Sequence, residues 1–161
     1  NPNSEKIRNL ILNNKSNFNK DTDLLLYMAA RSENINIIKK AYNKKVILID
    51  RFTDSTIAYQ HFGMGVNLNL IKTLNNFLLK NIKVSFTFLN IVNQKNLQKR
   101  LKQRKSLNRY DKFNISFYNK VQKGFIRLSK KQKNRYQLID SNLEIDKNEK
   151  LILDKIYKLI K

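Results

Sequence analysis

Apolar positions recur along this chain in two rhythms, one helical and one of short unbroken runs. Ile7, Leu10 and Ile11 keep helical spacing until Asn13 and Asn14 interrupt it, and Asp21 to about Tyr42 reads as a longer helix capped by Asp21 or Thr22. Val46-Ile47-Leu48-Ile49 breaks that rhythm. A short apolar run rich in β-branched residues, ending abruptly in Asp50-Arg51, predicts a strand covered on both faces, as in a parallel sheet. A helix from about Asp54 to Phe62 comes next, then a break at Gly63-Met64-Gly65 and a helix over Leu68 to Leu79. Val84 to Leu89 predicts a second strand, Asn93 to about Lys105 a basic helix, and Ser106 to Asp111 an irregular charged loop. Phe113, Phe117, Val121, Phe125 and Leu128 fall on one helical stripe, Tyr136 to Asp140 predicts a third strand, and Ile152, Ile156, Leu159 and Ile160 mark a last helix face. Strands separated by helices predict an α/β fold, a parallel sheet flanked by helices.

Composition narrows what such a fold does. With 161 residues, 41% of them hydrophobic, one domain over 1–161 with a real core is expected. The chain has no cysteine and a single histidine, His61, so neither a disulfide framework nor a thiolate or histidine-rich metal site fits. No apolar run approaches the roughly 18 residues of a membrane span, and no signal-like core follows a cationic start, so the cytoplasm is the expected location. The formal charge of +21 invites a nucleic-acid reading. Against it, lysine outnumbers arginine about three to one and lysines are scattered along the whole length, whereas a binding footprint concentrates on one element. A small anionic ligand such as a nucleotide suits the pattern better, with a basic nucleic-acid-binding module as the alternative.

In parallel α/β sheets ligands bind beyond the carboxyl ends of strands, which is where Asp50 and Arg51 would sit. An ion pair is the structural alternative for those two alone, but the residues after them add detail. Asp50-Arg51-Phe52-Thr53-Asp54-Ser55-Thr56-Ile57-Ala58-Tyr59-Gln60 resembles the segment of thymidylate kinases that runs from Asp-Arg-aromatic to Ala-Tyr-Gln. Leu26-Tyr27-Met28-Ala29-Ala30-Arg31 is similar to that family's aromatic-x-x-x-Arg helix, and Ser4-Glu5-Lys6-Ile7-Arg8 to its Glu-Lys-Ile-Arg helix start. Leu97 to Arg104, leading to Asn108-Arg109, resembles its arginine-rich lid, here 100–112, and Leu138-Ile139-Asp140 its last strand. The likeness covers nearly the whole chain.

The resemblance implies a P-loop-type nucleoside monophosphate kinase that phosphorylates dTMP to dTDP with ATP and Mg²⁺. Tyr27 and Arg31, four apart on one helix face, would cover and edge-bond the base; the alternative is a core tyrosine and a solvated arginine. Arg51 would hold the monophosphate, a task suited to a planar, permanently charged donor. Asp50 would lie near metal and phosphates, Ser55 among the substrate-binding residues, Thr56 on the base, Tyr59 against the sugar 2′ position, and Gln60 beside them. Arg104, Lys105 and Arg109 would close over ATP, with an exposed basic loop as the alternative. The family also implies a homodimer.

One family feature is absent from these residues. The glycine-rich Gly-x-x-x-x-Gly-Lys-Ser/Thr loop that cradles phosphates does not occur, since the three glycines stand at 63, 65 and 124, and the Arg-Glu-Pro segment is missing too. The expectation is a chain truncated at its amino end by about one strand-helix-strand unit, on the order of 30 residues. The first strands of the sheet would then be missing, leaving the 161 residues to fold poorly and bind ATP weakly. A noncatalytic relative of the kinase fold is the other reading of the same gap.

Overall fold

The computed structural model describes residues 1–160 and is dominated by helices. In chain order these are α1 (Pro2–Leu12), α2 (Lys20–Ala41), α3 (Thr53–Thr56), which runs on into π-helical turns over Ile57–Gly63, and α4 (Leu68–Leu79). Strand β1 (Thr87–Ile91), α5 (Gln94–Lys102), a 3₁₀ turn at Tyr110–Lys112, α6 (Ile115–Lys131), a second 3₁₀ turn at Lys133–Arg135, β2 (Tyr136–Asp140) and α7 (Ile145–Ile160) complete it. The residues group into two compact units, Asn1–Lys83 with Ser106–Ile126, and Val84–Lys105 with Arg127–Lys161.

Asparagine starts five of these helices for a shared reason. Asn1, Asn19, Asn67, Asn93 and Asn114 each stand just before a helix, and each side-chain oxygen accepts an amide hydrogen that the first turn cannot satisfy itself. The cap of α2 is therefore Asn19, which takes the amides of Asp21 and Thr22, rather than either of those two residues. Asn93 opens α5 in the same way, and that helix ends at Lys102, short of the expected Lys105.

In the first unit α1 packs on α2 and α2 on α4. Two apolar clusters hold it: Ile11, Ala58, Tyr110, Phe117 and Val121, and Leu24, Met28, Val66 and Ile71. Burying each large side chain is worth about 1.5–3 kcal/mol. The segment expected to be a plain helix from Asp54 to Phe62 instead widens after Thr56, where the Met64 amide bonds back five residues to the Tyr59 carbonyl. Such turns rotate less per residue, so neighbours along the chain face more nearly the same way. Ala58 and Gln60 are both buried here, with Tyr59 half-buried between them. Gly65, at φ 76, turns the chain out of the widened helix at no steric cost.

The second unit holds the sheet, two parallel strands in register from Thr87 opposite Tyr136 to Ile91 opposite Asp140. Leu89 and Ile139 are its buried residues on the strands. The third predicted strand is found at its expected place, whereas the second begins at Thr87 rather than Val84 and continues to Ile91. The first predicted strand is not formed. Val46, Leu48 and Ile49 are 63%, 77% and 42% exposed in an irregular segment. A strand exists only through a neighbour that takes its amides and carbonyls, and among the described residues the strands β1 and β2 pair only with each other.

Candidate functional site

Arg31 is the most heavily engaged cation of the first unit. It projects from α2, where Nη1 donates to Asn75 Oδ1 of α4 at 2.7 Å, while Nη2 donates to Thr56 Oγ1 at 2.7 Å and to the Phe52 carbonyl at 3.2 Å. The Phe52 ring also lies 5.4 Å from the guanidinium carbon. Burial lowers the Arg31 pKa to about 10, offset in part by the Asp54 carboxylate. Two of the residues assigned to the base, Arg31 and Thr56, are thus bonded to one another.

Arg51 follows the irregular apolar segment and takes a left-handed backbone conformation, φ 60, which a non-glycine residue adopts at a cost of about 1–3 kcal/mol. Its Nη2 donates to the Tyr59 hydroxyl at 3.1 Å and its guanidinium lies 5.0 Å from that ring's centre. Burial pulls its pKa down, but Tyr59 and Asp50 outweigh that, and the net shift is upward. Asp50, next to it, is an exposed carboxylate, and Ser55 is half-buried with its amide on the Phe52 carbonyl at 3.2 Å.

Behind these residues lies a buried polar cluster that the sequence did not announce. Asp23, on α2 one turn before Tyr27, is 1% exposed and accepts from three donors: the Arg109 guanidinium, the Tyr110 hydroxyl at 2.5 Å and Gln60 Nε2 at 3.0 Å. Tyr110 also accepts from Gln60 at 3.2 Å. Its ring meets the edges of Tyr27, Tyr59 and Phe113 with centres 6.0, 5.8 and 5.4 Å apart. Burial raises the Tyr110 pKa far above the usual phenol range, Tyr27 adding to it and Arg109 opposing. Burial raises that of Tyr27 as well, against its bond to Tyr110 and the fields of Arg51 and Arg8.

Tyr27, Arg31, Arg51, Ser55, Thr56, Tyr59 and Gln60 therefore all belong to one unit, along with Asp50. Arg109, expected as a lid cation, is in that unit too, paired with Asp23 and flanked by Phe18 and Tyr110 at 5.4 and 5.1 Å. Arg104 and Lys105 are exposed residues just after α5, in the other unit. Asp23, Asn75 and Tyr110 escaped sequence reasoning. The available signal was weak: a carboxylate at i−4 from Tyr27 and i−8 from Arg31, and an asparagine four residues after the buried Ile71. No group of three or more acidic or histidine side chains able to hold a metal occurs among the described residues.

An exposed guanidinium with a tyrosine at its side and a hydrogen-bonded arginine-threonine unit stand in one unit of a chain whose frame is α/β. That is the class of the nucleotide kinases. Residues 1–152 match the family model described as thymidylate kinase. The chain is 34% identical over 147 residues to the thymidylate kinase of Wolbachia pipientis subsp. Culex pipiens, covering 90% of this chain and 69% of that one. It is 36% identical to that of Mycoplasma capricolum subsp. capricolum, covering 95% and 76%. The crystal structure of thymidylate kinase from Ehrlichia chaffeensis is similar with a TM-score of 0.71 at 30% identity, over 98% of this chain and 74% of that one. The chain belongs to the thymidylate kinase family.

Proposed function

We propose that this protein transfers the γ-phosphoryl group of ATP to dTMP, giving dTDP and ADP, and that Tyr27, Arg31, Arg51, Ser55, Thr56, Tyr59 and Gln60 form its acceptor-nucleotide pocket. The observation that carries the assignment is Arg51, which stands just after the Val46–Ile49 run with its guanidinium on the hydroxyl and beside the ring of Tyr59. Only one of its guanidinium nitrogens has a bond to Tyr59, which leaves donors for a phosphate. Arg31 is already fixed in direction by Asn75, Thr56 and Phe52, so little side-chain entropy remains to be lost when a base arrives.

Catalysis on this reading is positioning and charge stabilisation, with no covalent nucleophile. Arg51 aligns the acceptor phosphate; of the lid cations, Arg104 and Lys105 are exposed and would meet the developing charge, while Arg109 is held by Asp23. Asp50 is a hard oxygen donor beside Arg51, and Mg²⁺ needs only one or two carboxylates besides phosphate oxygens, so Asp50 would hold it and the ion would neutralise phosphate charge. Belonging to the same proposal are a single kinase domain with its lid at 100–112, a homodimer, and the cytoplasm as the compartment. No described helix is long and apolar enough to cross a membrane.

Coupled ADP-release assays of the protein with dTMP, dCMP, dGMP and UMP test the reading; dTMP is preferred. Arg51→Ala weakens dTMP at least about tenfold, the equivalent of one lost charge-assisted contact, whereas Lys130→Ala, an exposed position in the other unit, stays within about twofold. Equal effects of the two, or no preference for dTMP, overturn it.

A further inference from the structure

Between α5 and α6 the chain runs through two stretches that are held very differently. Gln103 to Ser106 are exposed, and the amides of Gln103 and Arg104 close the end of α5 on the carbonyls of Lys99 and Leu101. From Leu107 onward the chain is tied down. Asn14 Nδ2 donates to the Leu107 carbonyl at 2.5 Å, the Arg109 amide to the Leu12 carbonyl at 3.1 Å, and the Arg109 guanidinium is paired with Asp23 of α2. The Tyr110 hydroxyl donates to the same carboxylate at 2.5 Å. Asn108 braces the turn from within, its side-chain oxygen accepting the amides of Tyr110 and Asp111 at 2.8 and 3.2 Å. The chain leaves one compact unit at Lys105 and enters the other at Ser106, so the tied stretch begins beside that crossing.

Asp23 carries the inner attachment. It is 1% exposed, so the guanidinium meets it away from water. The Phe18 and Tyr110 rings lie against Arg109, and its Nε is buried without a partner, which leaves the carboxylate as the polar group that holds this guanidinium among the described residues. Removing one member of a buried ion pair strands the other at a high cost. That cost is relieved when the turn lifts and the cation reaches solvent.

We propose that Asp23 is a positioning residue for the lid: through Arg109 it fixes residues 107–110 as a post, so that the moving part of the lid is Gln103–Ser106 and Arg109 serves as its anchor instead of reaching ATP. For what the lid does, this rests on the kinase reading above. Four residues fixed at both ends span at most about 14 Å, which confines Arg104 and Lys105, the exposed cations they carry. Without the post the free stretch extends from α5 to α6. Cations ranging over that longer stretch are poorly aligned with a developing charge, and a misplacement of about 1 Å can cost about a hundredfold in rate.

Hydrogen exchange read by mass spectrometry on the full protein tests the post directly. In the unaltered protein residues 107–112 exchange slowly and 103–106 fast. Asp23→Asn speeds exchange over 107–112 at least about tenfold, the equivalent of one charge-assisted bond, while α4 keeps its rate. Asn14→Ala, at an exposed position outside the proposed pocket, speeds the same residues by less. In ADP-release assays it lowers kcat severalfold and leaves the Kd of dTMP within about twofold. This variant decides the matter if Asp23→Asn does not fold. Equal exchange of the two stretches in the unaltered protein, or an Asp23→Asn effect spread equally over α4, makes the pair merely structural and overturns the proposal. So does an Asn14→Ala protein whose 107–112 exchange is unchanged, or is faster with kcat intact. If the post is protected as described but the unaltered protein phosphorylates no dTMP, the kinase reading fails instead.

Discussion

Asn75→Leu removes one acceptor from Arg31 while keeping the same branched heavy-atom outline, and the consequence of the lost bond can be sized from the hydrogen bonds. The lost contact is the 2.7 Å bond from Nη1 to Asn75 Oδ1, leaving Nη1 only the Met28 sulfur at 3.5 Å, a poor acceptor. Asn75 is 6% exposed, so water does not take the vacated place. A hydrogen bond to a charged group contributes about 1.5–3 kcal/mol, and the guanidinium left short of a partner in a buried setting puts the cost at the upper end. For a chain of this length that lowers the melting temperature by roughly 6–12 °C. Arg31→Met supplies the control. Once the charge is gone, the Asn75 oxygen is itself the unsatisfied group, and Asn75→Leu becomes neutral or mildly stabilising. Urea unfolding of the two single variants and the double variant then yields a coupling of about 1.5–3 kcal/mol. If Asn75→Leu costs the same in both backgrounds, Asn75 is not what holds Arg31, and the description of the site as pre-set around that arginine fails.

Packing and titration supply two further outcomes. Gly124→Ala gains about 1 kcal/mol of helix propensity on α6, but its Cβ would lie 2.5, 2.7 and 2.8 Å from Phe62 Cδ2, Cγ and Cβ. Because the Phe62 Cβ is among those atoms, rotating the ring brings no relief, and overpacking of about 1–3 kcal/mol outweighs the gain; the urea midpoint falls, but rises when the same change is made on Phe62→Ala, and a rise in the unaltered background refutes the contact. Tyr110 has its pKa raised in the folded state, mainly by burial, so the folded protein keeps a proton that the unfolded chain releases near pH 10. Its contribution to stability is complete below about pH 10 and declines as pH rises beyond it, by at most about 1.4 kcal/mol per unit. Tyr110→Phe flattens that decline in part, Tyr27 accounting for the rest, and urea midpoints that decline equally steeply with and without the hydroxyl count against the assignment.

The amphipathic helices were legible because their apolar positions repeat and their ends are marked. Leu68 to Leu79 is found residue for residue, with Asn67 capping it and the chain turning at Lys80. Tyr136 to Asp140 is likewise where its pattern puts it, since β1 is present to pair with it. Val46 to Ile49 carries an equally good strand pattern and remains exposed. The pattern reports a capacity to pair, whereas pairing depends on a second segment. The site divides along the same line. Tyr27, Arg31, Arg51, Thr56, Tyr59 and Gln60 lie on two segments whose motifs are local, and it was the resemblance of those motifs to a known family that singled them out. Asp23 and Tyr110 are 87 residues apart, and their contact has no local signature. A buried carboxylate looks in sequence like any solvated one, and only the fold shows that a guanidinium, a phenol and an amide converge on it.

The charge of the chain divides in a similar way between background and site. A balance of +21 is built mostly of lysine, and in so lysine-rich a composition an arginine carries more information than usual. All four arginines of the first unit stand at the site or act on it. Arg31 is clasped by Asn75 and Thr56, Arg51 by Tyr59, Arg109 by Asp23, and Arg8 acts electrostatically on Tyr27. These positions need what lysine lacks. Arg31 donates to three oxygens in fixed directions from one rigid fork, and Arg51 lies by a tyrosine ring while donating to its hydroxyl. An ammonium group reaches one such partner at a time, binds water more tightly and resists burial more strongly. In the first unit a compositional drift toward lysine therefore stops where planar geometry is required.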